Sequence, residues 1–216
     1  LKNDPNSGAL PTRQRRSEQT RDRLLEAGYQ LIHEKSLNDM TISDVATRAG
    51  CSVGAFYRRF KNKEVFEEAL LSAALQQARE LMLNVFETQQ NHEMLATEIV
   101  RQTIARHVRF APIYKAAILR AYIDPGRNTA AKQHGRFLLE GFLSWTRRTL
   151  GRDLKDWETT RITMSFQILF GTIINALLGR PGPFLLDDPE FGDELTITFV
   201  RNISTVFETE SVAPTR

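Results

Sequence analysis

The residues whose types and spacing could do chemistry crowd into one stretch, Thr41 to Lys63. Thr41 and Ser52 are hydroxyl residues where helices should begin. The free N–H groups and positive dipole end at such a start suit a phosphate, and plain capping satisfies the same residues. Gly54 sits inside a helical run although glycine costs about 1 kcal/mol there against alanine, which points to a backbone or a sugar-phosphate chain passing close by. Val53 and Ala55 flank it as small apolar residues, suited either to thymine methyl groups or to filling a helix surface. Arg58 and Arg59 suit guanine edges and phosphates equally. All of this is contact chemistry, with no bond made or broken.

Signals for catalysis are missing. His33, His92, His107 and His134 do not stand at H-E-x-x-H spacing, no G-x-S-x-G run occurs, and no pair of carboxylates stands out. No catalytic residue, metal ligand or cofactor is therefore expected. Cys51 is the single cysteine, so there is no disulfide framework or Cys-based zinc site, and no resolving partner for a redox switch.

These residues need elements to hold them. Apolar residues at Leu24, Leu25, Gly28, Leu31 and Ile32 fall at helical spacing from Ser17 onward. Thr41 with Asp44 makes a near capping box for a second helix, Ile42 to Ala49, and Gly50 is a natural C′ residue. Ser52 caps a third helix to about Phe60, and Asn62 a fourth of nearly thirty residues, roughly 40 Å long. Two short helices joined by Gly50 and Cys51 behind a longer one give a helix-turn-helix outline, whose second helix enters a DNA major groove. Further helices are expected at Met94 to Phe110, Pro112 to Ile123, Asn128 to Leu150, Asp156 to Arg180 and Pro189 to Glu208. Leu195, Ile197 and Phe199 alternate as a strand would, but the helical pattern Leu195, Phe199, Ile203, Val206 and Phe207 runs further.

The run from Thr41 to Glu64, TISDVATRAGCSVGAFYRRFKNKE, resembles the DNA-binding signature of TetR/AcrR-type transcriptional regulators, over about residues 15 to 75. The resemblance implies that Tyr57 and Lys63 contact phosphates. Arg59 stands where the family more often has histidine, which bears on base preference. It further implies an all-α chain of about nine helices: an N-terminal three-helix helix-turn-helix DNA-binding domain plus a C-terminal helical ligand-binding and dimerisation domain. The expected boundaries are a disordered tail and basic arm at 1–16, the DNA-binding domain at 17–63 and the larger domain at 64–216. Arg13, Arg15 and Arg16 form that arm, either reaching a minor groove or merely solubilising the tail.

Composition agrees with such a division. The chain has 216 residues, 41% hydrophobic and 25% charged, with a net charge of +3, which is a folded globular composition. Residues 1–63 carry 12 Lys and Arg against 7 Asp and Glu, whereas the remainder carries 17 against 19, so the basic excess is N-terminal, which suggests nucleic-acid or membrane contact by that segment or else a solvated basic face. No signal-peptide pattern appears in the first thirty residues, and a cytoplasmic location is expected. Ile162 to Gly179 lacks charge, but its polar interruptions favour a buried helix over a membrane span.

In the larger part, the nearly all-round apolar helix from Ile162 to Leu178 suggests a partner subunit. Phe166, Phe170, Ile173, Leu177, Phe199, Ile203 and Phe207 are the expected homodimer contacts. Aromatic walls with a few polar groups suit a small organic ligand, with His107, Arg109, Tyr114, His134, Phe137, Trp145, Phe170 and Asn175 as candidate contacts. The expected partners are thus a double-stranded DNA operator, a second copy and a small organic ligand, with no membrane. The expected function is a sequence-specific repressor released from a pseudo-palindromic operator by that ligand; an activating or ligand-independent regulator, or a helical ligand binder without a DNA role, are the alternatives.

Overall fold

The computed structural model describes residues 12–124, 129–179 and 182–208. They hold nine helices and no strand: α1 (Thr12–Glu34), α2 (Ile42–Arg48), α3 (Val53–Tyr57), α4 (Lys63–Thr88), α5 (His92–Arg109), α6 (Ala111–Ile123), α7 (Ala130–Leu150), α8 (Asp156–Leu178) and α9 (Pro189–Glu208). The all-α expectation therefore holds, and residues 195–207 are helical as the longer pattern requires. The N-terminal tail, residues 1–11, lies outside the described residues. α1 begins five residues earlier than the apolar spacing predicts, so Arg15 and Arg16 ride on a helix; the run Arg13-Gln14-Arg15-Arg16 consists of good helix formers with no breaker.

Two compact units divide the chain, Leu1–Leu70 and Leu71–Arg216. The division falls seven residues beyond the expected boundary because the first turns of α4 belong to the N-terminal core. Phe66 and Leu70 press on Gly28 of α1 so closely that a Cβ there would lie 2.7 Å from the Phe66 ring. The Tyr29 hydroxyl donates to the Leu70 carbonyl at 2.8 Å. Phe56, fully buried, meets the rings of Phe60 and Phe66 at 5.4 and 5.2 Å, and Leu24, Leu31, Met40, Val45 and Ala46 complete this core. α3 is shorter than predicted: the chain turns at Arg58, which lets Phe60 swing inward before Asn62 caps α4 by accepting from Val65 N–H at 2.9 Å.

In the C-terminal unit, α5, α8 and α9 pack together with α7 through Phe142, Phe166 and Phe199. Asn91 caps α5 by accepting from the N–H groups of Glu93 and Met94, which moves its start to His92. α8 is the one helix among the described residues long and apolar enough to cross a membrane, yet its Ile162, Phe166, Leu169, Ile173 and Leu177 are packed inside this unit.

α8 begins on a buried ion pair. Glu158, with no exposed surface, accepts from the Arg152 guanidinium at 2.8 and 2.9 Å and from the Lys155 N–H at 2.7 Å. The Arg152 hydrogen bonds dominate, and the Glu158 carboxyl is held down at about 2. A depressed carboxyl stabilises the fold above its ordinary value near 4.5 and loses that contribution as pH falls toward 2. Thermal unfolding of the wild type is therefore expected to fall more steeply than that of Glu158→Gln between those pH values; parallel curves would contradict the role of the pair.

Candidate functional site

The turn between α2 and α3 is built from local signals. Thr41 and Asp44 cap each other: Asp44 N–H donates to Thr41 Oγ1 at 3.1 Å and Thr41 N–H to Asp44 Oδ2 at 2.8 Å. Lys35 completes the group with an ion pair at 2.9 Å, and its hydrogen bond is the main reason the Asp44 carboxyl lies well below the usual range. At the C-terminus of α2, Gly50 takes φ +62°, and its N–H donates to the Thr47 carbonyl while Cys51 N–H donates to Ala46, a Schellman ending. Ser52 caps α3, its Oγ accepting from Ala55 N–H at 3.1 Å. Both hydroxyls therefore cap as expected.

α3 has two faces. Outward lie Ser52, Val53, Gly54, Tyr57 and Arg58, with Val53 and Tyr57 41% and 54% exposed. A Cβ added at Gly54 would meet nothing nearer than 3.8 Å, so the packing of the unit does not demand glycine. Ala55 does not share this face. It is buried beside Phe56, because the capped start at Ser52 turns that side of the helix onto the core, and it cannot touch a thymine methyl group without unpacking.

Two of the expected contacts are tied to the protein itself. Arg59 donates from Nε to the Ser17 carbonyl at 3.1 Å and from Nη1 to Ala55 at 2.9 Å, joining α3 to α1. The Lys63 ammonium donates to the carbonyls of Leu37 and Asn38, closing the α1–α2 loop, with one of its three donors left over. Arg58, in contrast, is exposed. Period alone does not distinguish these basic residues, since the Ser17, Leu37 and Asn38 carbonyls that hold them are distant in sequence.

In the C-terminal unit, α5, α6, α7 and α8 enclose a cavity of about 570 Å³. Of the candidate ligand contacts, His107, Tyr114, His134 and Phe170 line it. The remaining candidates lie elsewhere: Arg109 is exposed with its guanidinium over the Phe110 ring, Phe137 lies under Arg79, Trp145 is core with its indole N–H on the Gln89 carbonyl, and Asn175 is exposed. Arg106, Thr103 and Gln167 are lining residues that sequence reasoning missed. A readable signal existed, for Thr103, Arg106 and His107 are three polar residues continuing the buried stripe Ala96, Ile99 and Val100 of α5.

The cavity's polar wall is electrically unusual. His107 Nδ1 lies 2.8 Å from the Thr103 carbonyl, which can only accept, so that nitrogen carries the proton; the ring stacks on Tyr114 at 4.0 Å. Burial first, and then the charge of Arg106, push His107 down to about 4 and His134 to about 3. Burial also raises the Tyr114 hydroxyl. Both histidines are neutral at pH 7.

The expected dimer contacts face inward. Phe166, Ile173, Leu177, Phe199 and Ile203 are at most 4% exposed within a single chain, Phe170 lines the cavity, and Phe207 stacks on His92 at 4.3 Å. The outward stripe of α8 instead carries Trp157, Met164, Ile168 and Leu178, each at least 40% exposed. The apolar excess of α8 is thus divided between the chain's own core and an uncovered side. Among the described residues no group of His, Cys, Asp and Glu could hold a metal ion.

A three-helix unit that displays its short third helix beyond a tight turn is a helix-turn-helix, here followed by a helical unit with a cavity. Residues 24–74 match the family of bacterial regulatory proteins called tetR, and the chain carries that family's N-terminal domain. Among curated relatives, the HTH-type transcriptional regulator BetI of Klebsiella pneumoniae is 34% identical over 80 residues, 37% of each chain. An uncharacterised HTH-type regulator of Mycobacterium tuberculosis is 29% identical over 103 residues, 47% of this chain and 50% of that one. The matches thus span half or less of these relatives' lengths. Over the whole fold, a TetR-family regulator from Streptomyces coelicolor aligns with a TM-score of 0.59 at 19% identity, covering 87% of this chain and 99% of that one. FadR of Bacillus subtilis, solved with stearoyl-CoA, aligns at 0.54 and 18%, covering 84% and 98%.

Proposed function

We propose that this protein is a sequence-specific DNA-binding transcriptional regulator, a cytoplasmic homodimeric repressor that a small organic ligand releases from a pseudo-palindromic operator. The observation that carries the DNA reading is the outer face of α3, where Gly54 is exposed and a Cβ on it would meet only the ends of the Ser52 and Arg58 side chains, at 3.8 Å. Val53 and Arg58 would address base edges and phosphates, Tyr57 a phosphate, and the remaining Lys63 donor a second one. Arg59 acts by holding α3 on α1. The proposed dimer forms through Trp157, Met164, Ile168 and Leu178 of α8, with Ile197 of α9 also exposed. Gly171 on the same helix has open space around it, so a second helix could approach closely. The cavity lined by α5, α6, α7 and α8 would hold the ligand, a reading supported by the fold relative FadR having been solved in complex with stearoyl-CoA. A ligand acts here only through a difference in affinity between DNA-competent and incompetent conformations. No catalytic role is proposed.

Selection of bound sequences from a random DNA pool tests this reading and would return a two-fold related site. On that site, Gly54→Ala is expected to raise the thermal stability slightly, by up to about 1 kcal/mol, while weakening binding. Unaltered affinity in a gel-shift titration would remove α3 from the interface.

A further inference from the structure

The cavity's charge balance identifies a ligand class. Arg106 is only 9% exposed and donates to the Gln102 carbonyl at 3.3 Å, with the Tyr114 hydroxyl near its guanidinium. Among the described residues no carboxylate pairs with it. Among the described residues neither Asp nor Glu lines the cavity, whereas Lys132 and Arg136 do. His134 is 5% exposed, and neither of its ring nitrogens has a hydrogen-bond partner. A buried guanidinium without a counter-charge and a buried imidazole without a partner each cost the fold free energy, which an entering anion recovers by accepting charge-assisted hydrogen bonds. Most of the remaining wall is apolar: Ala117, Ile118, Leu139, Phe166, Phe170 and Ile174. The volume lies in the range of about 300–1,000 Å³ usual for small-molecule sites.

We propose that this cavity takes a carboxylate with an apolar alkyl or aryl body, its head bonded to Arg106 and to the His134 ring N–H and its body lying along Leu139, Phe166 and Phe170. The assignment deepens the reading of the cavity as the ligand site and rests on it. A neutral ligand would leave Arg106 without a counter-charge, and an organic cation would meet repulsion from Arg106, Lys132 and Arg136.

Calorimetric titration of the full chain, without DNA, tests it. Decanoate and 2-naphthoate stand for the alkyl and aryl sources, with decanol, 2-naphthol and decylamine as matched controls. At least one carboxylate is expected to bind about thirtyfold or more tightly than its uncharged counterpart, and whichever binds identifies the body. Arg106→Gln should remove that preference while leaving the alcohol's affinity unchanged, and Arg106→Lys should restore part of it. If Arg106→Gln does not fold, the wild-type comparison decides alone. Equal binding of carboxylate and alcohol, a preference for the amine, no binding by either carboxylate, or an Arg106→Gln variant that keeps the full preference would each overturn the proposal. A carboxylate that binds without changing DNA affinity would retain this assignment and remove only ligand control of the operator.

Discussion

Replacing Phe56 by Ala is expected to cost about 3–5 kcal/mol and with it all DNA binding. Phe56 is fully buried and sits at the centre of a ring cluster formed with Tyr57, Phe60 and Phe66. Whole domains are stable by only about 5–15 kcal/mol, and this unit is small, so a loss of that size removes much of its margin. Circular dichroism should show a lower or separate thermal transition for the N-terminal unit. The neighbouring Tyr57→Ala, at an exposed side chain, should melt close to wild type and still lose DNA affinity. A Phe56→Ala variant with wild-type melting would reject the cluster as the support of α3.

On α8, two substitutions five residues apart should behave in opposite ways. Ile173 has no exposed surface, so Ile173→Glu places a carboxylate in the core, costing several kcal/mol, and the chain should fail to fold. Ile168 is 41% exposed on the uncovered stripe, so Ile168→Glu should leave the monomer folded while opposing burial against a second copy. Sedimentation should then show a folded monomer. Its operator affinity should fall about 100-fold or more, because a dimer binds its second half-site at high effective concentration. A variant that stays dimeric would move the interface away from this stripe. A wild type that sediments as a monomer would remove the dimer altogether.

The elements of the N-terminal unit were legible because their signals are local. Thr41 with Asp44, Gly50, and Ser52 each act on backbone groups within a turn of themselves, so type and spacing suffice to place α2, the turn and the start of α3. The early end of α3 was not legible. It depends on Phe60 joining Phe66, a contact made across the loop to another helix. The cap at Asn91 carries no apolar signal, since the apolar stripe of α5 starts only after it.

The site residues follow the same division. The sequence by itself determined an all-α chain, the helix-turn-helix, the family of its N-terminal domain and the basic excess there, because helix period, caps and a fixed-spacing motif are properties of neighbouring residues. Only the tertiary structure decided which way those residues face. It buried Ala55, tied Arg59 and Lys63 to carbonyls of Ser17, Ala55, Leu37 and Asn38, turned Ile173 inward and Ile168 outward, and placed Arg106 rather than Arg109 on the cavity. The physical reason is that an amphipathic pattern fixes the angle between residues around a helix, whereas which side becomes core is set by the helices packed against it.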